Sequence, residues 1–338
     1  MKNKLLKILS AALAVSLLVL SFAACDNKNG DVSSVPAVTE KTDVNVAVLK
    51  GPTALGMLKL MNDDKLDAAT NDYNFEVFAA ADQLVPNIVN KSIDIAAVPT
   101  NLAAKLYKVT EKNVSIIAVN TLGVLSIVTN GVAIDSIDDL RGKTIYATGK
   151  GATPEYALNY ILEKSGLEIG KDVTVEYKGE HSELAALVIK GDAQIAMLPQ
   201  PFVTQVTTKN ANVKIALDLS KEWKKLPDNS ENELVMGCLV VRNDFLKENK
   251  AAVDAFLSEY QISTSFANDK IEETAQFAGD FSIMDAAVVE KAIPYCNITY
   301  IDGEDMKKSV SAYLNTLLAA DPVSIGGALP ADDFYYAK

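Results

Sequence analysis

Histidine is almost missing from this chain of 338 residues: His181 is the only one. That excludes a histidine-rich metal site and makes a zinc site of ordinary composition untenable, so no metal or other cofactor is expected. Arginine is nearly as scarce. Arg141 and Arg242 are the only two, so a bidentate guanidinium clamp on a carboxylate or sulfonate is not assured. Three cysteines cannot build a disulfide framework. Cys238 and Cys296 could pair with each other or stand as isolated buried thiols. No cluster of basic residues interrupts a net charge of −12, and an acidic surface repels phosphate backbones, so nucleic acid is excluded as a partner. There is no G-x-x-x-x-G-K-[ST] and no G-x-G-x-x-G, which removes the phosphate-loop and dinucleotide readings. No Ser-His-Asp set or other catalytic constellation is visible, so no enzyme activity is expected.

Apolar residues are abundant instead. They make up 49% of the chain, enough for large cores in two domains of ordinary size. The first 24 residues read as a signal peptide: Lys2, Lys4 and Lys7 precede an apolar run over 8–20 that is too short for a comfortable membrane span. The run ends in "SFAAC", which resembles a bacterial lipobox with Phe22 where the usual pattern has leucine. Cys25 is therefore the expected lipidation site. Residues 25–42 are polar and without periodicity, a flexible tether. Without the three leader lysines the charges are 29 against 44, a balance of −15. The expected location is outside the cytoplasm, anchored to the outer face of the cell membrane by the lipid alone.

The body of the chain echoes itself at an offset of one hundred residues. "LKGPT" at 49–53 and "GKGAT" at 149–153 each follow a short apolar run and open a helix. Ile95, Ala96 and Pro99 are matched by Ile195, Ala196 and Pro199. Between these marks the order is strand, turn, helix, strand, helix, strand in both halves, with strands at 44–49, 75–81 and 93–101, then at 143–148, 173–177 and 193–201. Alternating strands and helices imply mostly parallel sheets covered on both faces. The fold class is thus α/β: two similar three-layer lobes joined by two crossing strands near 125–130 and 239–242, with a ligand cleft between them. Residues 43–130 plus 240–338 form lobe 1 and residues 131–239 form lobe 2. The helices expected at 243–266, 271–278, 283–293 and 304–320 pack around lobe 1.

Both glycine turns fall where parallel sheets bind ligands, at strand carboxyl ends beside helix N-termini. Glycine lets the backbone approach a solute, and Thr53 and Thr153 can cap their helices or donate to the ligand. One turn would supply each jaw of a clamp. Lys50 could neutralise an anion, or stand with Lys150 as a solvated flank. Trp223, in "SKEWKK", could roof an aromatic ligand but reads better as packed on the lobe surface. His181 follows a strand end and could reach the cleft or serve the hinge.

Leader, tether and two lobes together resemble a lipoprotein substrate-binding protein of an ABC transporter, in the type 2 periplasmic-binding-protein-like class. The segments "VLKGPTALGMLKLM", "SIDIAAVPTNLAAKLY", "IDDLRGKTIYATGKGATPEYALNYILEKSGL" and "GDAQIAMLPQPF" resemble the family that binds nitrate, sulfonates, taurine and thiamine pyrimidine precursors. The resemblance implies a monomeric transport receptor that delivers a small solute to a permease. Related architectures also serve chorismate-processing enzymes, the pyrimidine synthase of thiamine biosynthesis and sensor lipoproteins. It implies a cleft lined by Lys50, Gly51, Pro52, Thr53 and Ala54 after the first strand and by Thr100 and Asn101 after the third. In lobe 2 the counterparts are Gly151, Ala152 and Thr153, then Gln200 and Pro201. Thr121, after "SIIAVN", is a further candidate.

Overall fold

Valines at 44, 46 and 48 alternate with small and polar residues, and in the computed structural model they are fully buried in the opening strand. Residues 41–337 are described; the expected leader, Cys25 and nearly all of the expected tether lie outside them. The first three strands, β1 (Asp43–Leu49), β2 (Asp72–Phe78) and β3 (Ile95–Pro99), run parallel, with β1 between the other two. β4 (Val114–Thr121) and β5 (Leu125–Asn130) follow with only three residues between them. The second half supplies β6 (Thr144–Ala147), β7 (Thr174–Tyr177), β8 (Ile195–Pro199) and β9 (Val213–Asp218), then β10 (Gly237–Arg242) and β11 (Ile298–Ile301).

These strands make two sheets. One has the order β11-β4-β10-β3-β1-β2 and the other β7-β6-β8-β5-β9. Leaving out β11, the two orders match: second strand, first, third, an antiparallel insert, fourth. The inserts are exchanged. β10 lies antiparallel between β3 and β4, although it follows all of lobe 2 in the chain, and β5 lies antiparallel between β8 and β9, although it directly follows lobe 1. Two crossing strands are therefore present, with corrected membership. Leu125–Asn130, expected in lobe 1, pairs within the second sheet, and residues 237–239, expected in lobe 2, pair within the first. The crossings lie at 122–124 and just before Gly237. Hydrogen-bond pairing decides this, and the apolar pattern of either strand suits both sheets.

The helices are α1 (Pro52–Leu55), α2 (Leu58–Lys65), α3 (Ala81–Val89), α4 (Thr100–Val109), α5 (Thr153–Lys164), α6 (His181–Lys190), α7 (Phe202–Lys209) and α8 (Leu219–Lys225). After β10 come α9 (Asn243–Glu248), α10 (Lys250–Asp269), α11 (Ile271–Asp280), α12 (Ala286–Ala292) and α13 (Gly303–Ala320). The periodicity at 55, 58 and 61 suggests one helix, but the chain breaks at Gly56 into α1 and α2. A side chain there would meet the Tyr260 hydroxyl at 3.0 Å, so glycine is what lets the junction press against α10. The helix expected at 243–266 also divides, at Asn249. Helices α10 to α12 cover one face of the first sheet, burying Val253, Phe256, Leu257 and Tyr260 against Val46, Val48, Leu239 and Val241.

Trp223 corrects its expected surface placement. It is fully buried, donates from Nε1 to the Asn232 carbonyl at 3.2 Å, and packs on Tyr160 of α5 and Tyr313 of α13 at ring distances of 5.0 and 5.6 Å. Its core runs without a break from the lobe 2 helices to α13 of lobe 1. Cys238 and Cys296 are both buried free thiols, and burial pushes the Cys296 thiol up to about 12. Among the described residues no helix is long and apolar enough to cross a membrane.

Candidate functional site

The carboxyl ends of strands from both sheets converge on one cavity of about 80 Å³. Lobe 1 brings Leu49, Lys50, Pro52 and Thr53 from the first glycine turn, with Pro99 and Thr121 from the ends of β3 and β4. Lobe 2 brings Pro154, His181 and Pro199, from the starts of α5 and α6 and the end of β8. Val124 and Met236, one in each crossing segment, complete the wall. A wider chamber of about 220 Å³ adjoins it through Lys50 and His181 and adds Glu180, Phe202, Met284 and Asp285.

The chemistry of the inner chamber is mostly neutral. Its prolines and aliphatic side chains exclude water and offer no N–H groups. His181 receives or donates a hydrogen bond of 2.6 Å between Nδ1 and the Thr148 hydroxyl, and its ring packs on Phe202 at 5.2 Å. Burial holds its imidazole down at about 4, so it is uncharged at neutral pH and serves as a polar wall. Lys50 is the single cation in the lining and is exposed. Both arginines are committed elsewhere: Arg141 to Asp138 and Asp172, Arg242 to Asp94 and Asp244. At the end of β4, the Thr121 hydroxyl is fully buried in the lining and has no hydrogen-bond partner within the protein. A buried hydroxyl without a partner costs about 1–3 kcal/mol, which a bound solute can recover.

The remaining expected site residues lie around this cavity and not in its lining. Gly51 and Ala54 are buried in the turn and first helix behind Pro52 and Thr53. The two threonines do not cap. Gly51 and Ala152 occupy the cap positions, and neither gives a side-chain cap. The Thr53 hydroxyl donates to the Leu49 carbonyl at 3.1 Å. Thr153 is fully buried and faces lobe 1: it donates to Asn101 Oδ1 at 3.2 Å and accepts from the Asn101 backbone N–H at 3.4 Å. Asn101 Nδ2 also donates to the Gly151 carbonyl at 3.2 Å and to the Ser324 carbonyl at 3.1 Å. The second glycine turn is thus docked on lobe 1, with Ala152 buried beside it and the Gly151 N–H held by the Glu155 carboxylate at 2.5 Å. That carboxylate occupies the start of α5 and opposes an anion there. Thr100 is buried with its hydroxyl beside the Cys238 thiol. Gln200 stands just ahead of α7, its Oε1 accepting from the Thr204 N–H and hydroxyl, and Pro201 is buried next to it at the cap position.

Sequence reasoning did not anticipate Leu49, Pro99, Val124, Pro154, Pro199 or Met236. The matched prolines at 99 and 199, one hundred residues apart, were the available signal. Among the described residues no group of three or more His, Cys, Asp or Glu side chains is placed to hold a metal.

No curated protein matches the sequence. Several solved structures match the fold. An ABC transporter protein from Parabacteroides distasonis shares 22% identity, with 88% of this chain and 100% of that one covered and a TM-score of 0.73. The alkanesulfonate-binding protein SsuA of Xanthomonas axonopodis pv. citri, bound to MOPS, shares 16% identity over 86% of this chain and 96% of its own, at a TM-score of 0.66. The periplasmic nitrate-binding protein NrtA of Synechocystis shares 16% over 85% and 84%, at 0.64. The family described as ABC transporter, phosphonate, periplasmic substrate-binding protein matches residues 64–285, from α2 through all of lobe 2 to the approach to α12. Two lobes with exchanged strands, a cavity at their facing strand ends and a family match over most of the described chain lead to one conclusion: the chain belongs to the phosphonate family of ABC transporter periplasmic substrate-binding proteins.

Proposed function

We propose that this receptor closes its two lobes on a small solute at the Lys50–Thr53 turn and the end of β4, and hands it to the permease of an ABC importer as a monomer. The observation that carries the reading is the buried hydroxyl of Thr121, unpartnered in a cavity walled by strand ends from both sheets. A solute there touches both lobes and so favours their closed arrangement, as ligand can do only by binding one arrangement better than the other. The solute is drawn from the nitrate, sulfonate, taurine and pyrimidine-precursor class, and a clamp of arginines plays no part in holding it. Lys50, Pro52, Thr53 and Thr121 are the contacts of the sequence-expected set, with His181 facing them from lobe 2. Residues 122–124 and the segment before Gly237 carry the bending.

The test is small-angle scattering and melting with nitrate, ethanesulfonate, taurine, methylphosphonate and pyrimidines. A solute at one hundred times its dissociation constant is expected to stabilise the protein by about 2.7 kcal/mol and to reduce its radius of gyration. Stabilisation with an unchanged radius would count against closure, and no response to any solute would count against this cavity.

The finer location follows from the leader. Cys25 is proposed to carry the lipid that holds the receptor at the outer face of the membrane. Mass spectrometry of the mature protein is expected to give an N-terminus at Cys25 bearing diacylglycerol. A start at any other residue, or a free thiol at Cys25, would remove the anchor from this account.

A further inference from the structure

β4 is buried along its whole length, and its last two side chains are its only polar groups without partners. Asn120 is 1% exposed, and neither its Oδ1 nor its Nδ2 has a hydrogen-bond partner within the protein; the Thr121 hydroxyl adds a third such atom. The backbone is irregular at the same place. Gly237 of β10 pairs with Thr121 and the next residue, Cys238, pairs with Val119, so Asn120 is the extra residue of a β-bulge. The pairing with β11 is interrupted there too, between Ile298 opposite Thr121 and Ile301 opposite Val119. Bulges re-aim a side chain and recur beside binding sites. Opposite the bulge stands glycine: a Cβ on Gly237 would lie 2.6 Å from Asn120 Oδ1 and 3.1 Å from Thr53 Cγ2. The missing side chain is what admits the amide directly behind the wall, one residue before the Thr121 of the cavity lining.

Resting on the receptor reading above, we infer that Asn120 is the residue that selects the solute, and that it selects a head group bearing both a hydrogen-bond donor and an acceptor. The amide offers one of each. Nδ2 and the Thr121 hydroxyl can donate to an oxygen, and Oδ1 requires an N–H or O–H in return. A carboxamide, a lactam edge, a sulfonamide or a singly protonated oxyacid satisfies all three atoms. A fully ionised oxyanion carries acceptors only and would set its charge against Oδ1. The surroundings agree. The lining holds no arginine, His181 is neutral, and carboxylates of Glu180 and Asp285 stand in the outer chamber with Lys50.

Calorimetric titration of the purified protein with matched pairs tests this: methanesulfonamide against methanesulfonate, butanamide against butanoate, and methylphosphonate at pH values where it carries one charge or two. The donor-bearing member is expected to bind about ten-fold tighter or more, because a site built around a paired polar group rejects the analogue that leaves it unpaired. Asn120→Ala is expected to bring each ratio to within about two-fold. If that variant does not fold, the wild-type ratios and the NMR shift of the Asn120 side-chain amide on adding methanesulfonamide decide the matter. Tighter binding of the ionised members, or ratios unchanged in Asn120→Ala, would overturn the assignment while leaving the receptor intact. Absence of binding by every compound would overturn both together.

Discussion

Asn101→Ala is expected to weaken solute binding by about one to two orders of magnitude without touching the solute. Asn101 is fully buried at the start of α4, and its amide and backbone engage Thr153, Gly151 and Ser324 through four hydrogen bonds of 3.1–3.4 Å. Three of the four join lobe 1 to the Gly151–Thr153 turn, so under the proposed closure they are counted as contacts of the closed arrangement. Truncation removes the acceptor of the Thr153 hydroxyl and the amide donor to the Gly151 and Ser324 carbonyls, leaving only the backbone N–H on Thr153 and Lys105 Nζ at 3.4 Å on Gly151, at about 1–3 kcal/mol for such losses. A penalty on the closed state lowers apparent affinity in proportion to its population, and each 1.4 kcal/mol is a factor of ten. Titration of the variant should show the loss, and scattering should show the solute-free protein more open than wild type. Thr153→Val removes two of the three interlobe bonds and leaves the one to the Gly151 carbonyl, so the pair forms a double-mutant cycle with a coupling of about 1 kcal/mol or more. Full affinity in Asn101→Ala would mean that the docked turn has no part in closure.

Stability should respond most to Asp94→Ala, with a loss of about 3–5 kcal/mol. Asp94 sits just before β3 with its side chain 6% exposed, and its Oδ1 meets Arg242 Nη2 at 2.6 Å. Its Oδ2 accepts from the Asn45 backbone and side chain at 2.8 and 2.9 Å. Arg242, 10% exposed, also donates to the Ile93 carbonyl at 2.9 Å and to Asp244. One carboxylate thus ties β1, β3 and β10 at the end of the sheet away from the cavity. Removing it strands a buried guanidinium, whereas removing both partners with a well-packed pair such as Asp94→Ala with Arg242→Met should recover part of the loss. Denaturant melts read the effect directly, and solute affinity of the folded fraction should be unchanged. A loss under 1 kcal/mol would show that Asp244 alone can hold the arginine.

Much of this architecture is legible in the sequence because it rests on local pattern. The hundred-residue echo located β3 and β8 with ends two residues too far out, 93–101 against Ile95–Pro99 and 193–201 against Ile195–Pro199, and both glycine turns sit at strand ends as expected. What could not be read there depends on which strand pairs with which. β5 and β10 are equally apolar, so nothing in their sequences assigns them to the sheet that holds them. β11 is four residues long and only partly buried, too short for periodicity to mark it. The bulge at Asn120 is a property of three strands together. Within the site, sequence found the turn that lines the cavity, Lys50 to Thr53, but could not separate a threonine held in the cavity wall, its hydroxyl on the Leu49 carbonyl, from one turned to the other lobe. Thr53 and Thr153 occupy equivalent places in two similar turns, and only the approach of Asn101 distinguishes them. Trp223 was misplaced because its neighbours are charged; α8 turns those lysines outward and the indole in.

The exchange of strands between the sheets also fixes an order of assembly. Every strand of the second sheet falls between Leu125 and Asp218, so the sheet can complete itself from one continuous stretch of chain. Lobe 1 cannot. Until Gly237–Arg242 has emerged, β3 and β4 present bare facing edges with nothing to fill the gap between them, the kind of apolar edge that recruits neighbouring chains. The seam is finished later still, when the Tyr336 N–H reaches the Ile116 carbonyl and Phe334 is buried against Tyr107. During synthesis and passage across a membrane, the vulnerable species is therefore a chain whose second sheet has all its strands while the first still lacks the one that joins β3 to β4.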